Sequence, residues 1–138
     1  MALTRHELVR LANEKLEDAS LLLAKGRWAS AYHLFGLSVE LGLKAAIARR
    51  IPAETVQDKA FGGVFYSHDL KKLAGLADIG ADLERRLGTA EFRKNWEIVG
   101  GWGVDSRYER VDESEARAMA EAVEARTDGV FEWLKSVW

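Results

Sequence analysis

From Trp28 to Ala48 the chain is apolar almost without interruption, yet this stretch holds one acid, Glu40, and one base, Lys44. Wound as a helix, it extends about 31 Å at ~1.5 Å per residue. Trp28, Ala31, Tyr32, Phe35, Val39, Gly42, Leu43 and Ala46 then fall on one face, and Leu34, Leu37, Leu41, Ala45 and Ala48 on another. A helix that is apolar nearly all round is a buried one, so the rest of the chain must enclose it. Burying an unpaired charge costs several kcal/mol, so Glu40 and Lys44 must find partners or face an opening. They stand at i and i+4 in the favourable acid-before-base order. His33, seven residues before Glu40, shares their stripe.

The flanking sequence supplies the enclosure as further helices. Thr4-Arg5-His6-Glu7 has the capping-box pattern, and Leu8, Leu11, Ala12, Leu16, Ala19 and Leu23 follow at helical spacing. Helix 1 is therefore expected over roughly 4–25, ending at Gly26, and helix 2 over 27–50, ending before Pro52. So short a connection predicts an antiparallel hairpin. Gly36 and Gly42 inside helix 2 cost about 1 kcal/mol each against Ala, which a close-packed neighbour would offset. The apolar stretch 51–66, with Phe61-Gly62-Gly63-Val64-Phe65-Tyr66, is expected to fold back on the body. Ser67 is expected to cap a third helix over 68–77, with Asp69 in its first turn. A short helix over 80–87 and one over 90–99 follow, the latter opened by Thr89 and burying Phe92, Trp96 and Val99. Asp112 and Glu115 form a second capping box before a last helix over 113–136, kinked at Gly129. The expected fold is all-α: one domain over 1–138, an antiparallel bundle of four long helices plus one or two short ones.

Composition narrows the function classes. There is no cysteine, which excludes disulfides, thiolate metal sites and thiol nucleophiles. No uncharged run reaches the ~18 to 20 residues of a membrane span, and the N-terminal segment lacks a signal-peptide pattern. These features suit a cytoplasmic protein that engages no membrane. Twenty Lys plus Arg against 22 Asp plus Glu argue against a general polyanion coat, though a local basic patch remains open. The pairs Arg49-Arg50, Lys71-Lys72, Arg85-Arg86 and Arg93-Lys94 would form an RNA footprint only if they converged on one face. No metal ligand set and no cofactor motif is found.

Three motifs in order carry a resemblance. The first is the aromatic-rich helix 2 with Glu40 and, four residues on, Lys44. The second is Ser67-His68-Asp69-Leu70. The third runs from Trp102 to Ser106-Arg107-Tyr108. Together they make the chain similar to the HEPN superfamily, the "higher eukaryotes and prokaryotes nucleotide-binding" domains. The resemblance implies a small helical domain, a homodimer, and a role beside a minimal nucleotidyltransferase in a toxin–antitoxin-type pair. On that basis the chain would bind nucleotide, RNA or the partner protein. Many HEPN proteins are ribonucleases with an Arg and, four to six residues later, a His in the C-terminal half. This sequence departs from that pattern, because its histidines are His6, His33 and His68 and none follows Arg107. Arg27 and His33 match the spacing but lie about 120° apart on one helix, in the wrong half of the chain.

No catalytic residue is assigned, and the candidate binding set is Glu40, Lys44, His68, Asp69, Trp102, Arg107 and Tyr108. Each has a plainer reading beside it. Glu40 and Lys44 form either a structural ion pair or, with Arg107, the lining of an anion cleft, since Arg pairs bidentately with carboxylate or phosphate. His68 and Asp69 either start a helix or act together at a site. Trp102 and Tyr108 either pack under a loop or stack on a base. A ribonuclease with a divergent site and a ligand-free adaptor dimer stand as alternatives to the binding module.

Overall fold

The computed structural model describes residues 3–50, 67–75 and 79–138, with the side chain of Arg107 excepted. The expectations for 51–66 and for a stop at Pro52 lie outside the described residues, whereas the third helix, expected to reach 77, ends at Ala74 with Gly75 as its C-cap. Within them the fold is all-α, with helices and no strand.

Helix α1 spans Arg5–Ala24 and α2 spans Trp28–Arg50. The capping box that opens α1 forms as expected, with the Thr4 hydroxyl accepting from Glu7 N–H and the Glu7 carboxylate accepting from Thr4 N–H. Gly26 closes the helix in the left-handed region at φ 74°. There the N–H of Arg27 reaches Leu22 O at 2.9 Å and that of Gly26 reaches Leu23 O at 3.1 Å, the paired bonds of a Schellman motif. The chain reverses there, and α2 returns along α1.

Helix α3 is Leu70–Ala74, α4 is Ile79–Arg86, α5 is Ala90–Gly100, and a 3-10 turn occupies Val104–Tyr108. Helix α3 starts two residues later than the sequence suggests. Asp69, not Ser67, is its N-cap, accepting from Lys72 N–H, while the Ser67 hydroxyl accepts from Asp69 N–H. Thr89 holds the cap position of α5, but its hydroxyl makes no capping bond.

The expected last helix is two. Helix α6 runs Glu113–Glu124 from the capping box of Asp112 and Glu115, and α7 runs Val130–Val137 with Gly129 as its N-cap. The break turns on Gly129. A β-carbon there would collide with the backbone of Ala125, so the chain folds tightly where a straight helix would continue.

Helix α2 forms the axis, touching α1, α3, α6, α7 and the 3-10 turn. Its buried side chains lie on every side, among them Phe35, Val39, Leu43, Ala45 and Ile47. Gly42 admits α7, since a β-carbon would stand 2.8 Å from Leu134 Cδ1. Gly36 admits Trp102, whose indole occupies the space a β-carbon would need. At the other pole, the Trp133 ring meets Phe92 and Trp96 edge-to-face, and its Nε1–H donates to Asp82 at 2.7 Å.

Candidate functional site

The polar stripe of α2 runs His33, Gly36, Glu40, Lys44, and the segment 100–108 lies across its first half. Trp102 is seated on Gly36, its ring centroid 5.8 Å from that of His33. Beyond it, His33 Nδ1 is hydrogen-bonded to the buried Ser106 hydroxyl at 3.0 Å. Here Gly36 sets the geometry. Only a residue without a side chain lets an indole lie directly on the helix backbone.

Further along, Glu40 and Lys44 are both buried, at 3% and 7% exposure. Lys44 Nζ donates to Glu40 Oε2 at 3.2 Å. The other oxygen, Oε1, lies 2.8 Å from His68 Nδ1. An ionised carboxylate only accepts, so Nδ1 carries the proton and the imidazole is held in one orientation. The His68 side chain is 54% exposed, so the anchored ring presents its other edge outward. Asp69 follows directly as the cap of α3, which fixes the backbone on which His68 stands.

A cleft of about 320 Å³ opens beside this ring, lined by His68, Asp69, Gly100, Trp102, Gly103, Val104 and Asp105. Trp102 is buried, and its Nε1–H meets no acceptor among the described residues. On α2, Tyr32 has its phenol pKa pushed up, by burial first and then by the carboxylates of Glu109 and Glu115.

The structure thus joins Glu40, Lys44 and His68 directly and sets Asp69 and Trp102 on one cleft wall. Tyr108 ends the 3-10 turn, 76% exposed and outside the residues lining the cleft. The expectation that the Arg107 side chain partners Glu40 lies outside the described residues. The Arg27–His33 pair is separated in role, since His33 is engaged by Ser106. Members of the basic pairs are engaged within the fold. Arg49 and Arg50 donate to the carbonyls of Trp138 and Val137, Arg85 pairs with Asp82, and Arg93 donates to Leu87 O. Sequence reasoning missed Asp105 and, though Ser106 stands in the third motif, its bond to His33. Their signal is weak, because nothing in the spacing of a short loop says which side chains turn toward the helix beneath. Among the described residues no group of three or more His, Asp and Glu could hold a metal ion. No described helix is long and apolar enough to cross a membrane.

A cleft lined in part by Trp102 lies beside a buried acid–base stripe on the axial helix of a small all-helical domain. A sequence model of the HEPN domain matches residues 6–137, and the chain belongs to that family. The family supports a nucleotide- or RNA-related function in general terms. No significant match was found among curated proteins or among solved structures.

Proposed function

We propose that this chain is a non-catalytic HEPN binding domain that holds a nucleotide or an RNA segment in the His68 cleft. The observation that carries the reading is the 2.8 Å bond between buried Glu40 and half-exposed His68. A carboxylate-anchored imidazole at the mouth of an aromatic-walled cleft offers a fixed hydrogen-bonding edge for a base, ribose or phosphate at no further ordering cost. Tyr108 at the end of the adjoining turn provides an exposed ring for stacking. The missing C-terminal histidine supports binding over cleavage, because metal-free RNA scission needs an acid and a base placed at the two reacting oxygens. A homodimer and a nucleotidyltransferase partner in a toxin–antitoxin-type pair belong to the same proposal and rest on family membership.

Equilibrium binding of ATP and of a panel of RNA oligonucleotides tests it, with gel analysis of the RNA afterwards. The parent should bind at least one ligand, His68→Ala should weaken it about tenfold, and the RNA should stay intact. Metal-free cleavage that His68→Ala abolishes would replace the proposal with a ribonuclease. No binding to any probe would end the cleft's role.

A further inference from the structure

The α1–α6 seam shares no lining residue with the cleft and presents a partly exposed apolar surface with an acidic rim. The Ser20 hydroxyl donates to Glu124 across it at 3.2 Å. Two shallow grooves meet at Glu124. One, of about 400 Å³, is lined by Leu16, Glu17, Ser20 and Leu21, and the other, of about 390 Å³, by Leu23, Ala120, Glu121 and Ala125 among others. Leu21, a large apolar side chain, is 66% exposed.

The rim of this apolar seam is acidic. Glu17, Glu121 and Glu124 form no ion pair among the described residues. Arg117 also lines the second groove but is already engaged, by Glu113 at 2.7 Å and by the Trp28 ring beneath its guanidinium. Three carboxylates without a cation among the described residues, one of them held by Ser20, stand around apolar floor residues and select strongly among occupants. Nucleic acid and anionic lipid are repelled. A second copy docked isologously through this face would set the same three carboxylates against their own images. A cationic segment with an apolar stripe meets both demands at once, filling the grooves with its aliphatic side chains and placing Lys or Arg at the rim.

We propose that the α1–α6 seam is a docking surface for a basic amphipathic helix of a partner protein. The inference stands independently of the cleft's ligand, since the two surfaces share no lining residue. Glu124 fits the same picture. Lost hydration against the seam pushes its pKa up, the Ser20 hydrogen bond opposing.

Two synthetic helical peptides test this, one with a Leu face and a Lys face, the other with Glu replacing Lys. Binding to the full chain is read by fluorescence anisotropy at physiological salt, and the footprint by hydrogen exchange. The Lys peptide should bind and slow exchange in the second half of α1 and along α6, and the Glu peptide should not bind. Glu17→Lys/Glu121→Lys and Leu21→Ser should each weaken binding at least tenfold at unchanged melting temperature. Glu121→Gln provides a milder variant and should weaken it less. Equal binding of both peptides, undiminished binding by the variants, or protection on other helices would overturn the proposal. A dimer in sedimentation that Leu21→Ser dissociates would give the seam to a second copy and overturn it equally.

Discussion

A single carboxylate, that of Glu40, ties the axial helix to the start of α3. One of its oxygens takes the Lys44 ammonium and the other the His68 imidazole, the acid and the ammonium buried and the imidazole half-exposed. Removing the carboxylate takes from the buried Lys44 ammonium and the His68 imidazole the acceptor they share, the costly way to break such a network. Glu40→Ala should therefore destabilise the domain by about 3 to 5 kcal/mol. Urea unfolding measures it, and an unchanged midpoint would show that Lys44 is satisfied without Glu40. The need for partners was legible from the sequence, because an acid and a base in an apolar rod cannot be left alone. Their identity was only half legible. His68 across the fold is a matter of which helix start reaches the middle of α2, and no local pattern encodes that distance.

At the scale of elements, the two interior glycines of α2 show what periodicity reveals and what it hides. Both read as sites of close approach, and both are. Gly42 receives a side chain of α7, a helix as expected, whereas Gly36 receives Trp102 from an irregular connection. A β-carbon at Gly36 must displace that indole and with it the cleft wall. Gly36→Ala should cost about 1 to 3 kcal/mol through overpacking, outweighing the gain of about 1 kcal/mol in helix propensity. Thermal melting gives the stability, and near-UV circular dichroism reports the Trp102 environment. A more stable variant with an unaltered tryptophan spectrum would mean that the ring is not seated as described. Helix ends divide in the same way. Capping boxes at Thr4 and Asp112 are local chemistry and formed where the sequence put them. The break before α7 is not local. An apolar set of helical spacing continues through it, and only the packing of Phe131, Trp133 and Leu134 into the core shows that the chain has turned.

Across the whole molecule, α7 closes the bundle. It buries Val130, Phe131, Trp133, Leu134 and Val137, and its last carbonyls accept from Arg5, Arg49 and Arg50. Those guanidiniums meet the negative end of the helix. At about 1.5 to 3 kcal/mol for each large buried side chain, α7 contributes on the order of 10 kcal/mol, comparable to the ~5–15 kcal/mol net stability of a domain. A chain ending at Gly129 should lose cooperative unfolding altogether. Calorimetry that still showed a sharp transition would mean that α1, α2 and α6 suffice as a folding unit. What the sequence determined alone was a helical domain wrapped round an oily axis, because burial of one long apolar rod with two charges admits few solutions. The tertiary structure decided which side chains meet those charges, where the last helix divides, and that a cleft and an acidic seam stand on separate surfaces. These are set by distances between residues far apart in the chain, which neither helical period nor capping chemistry specifies.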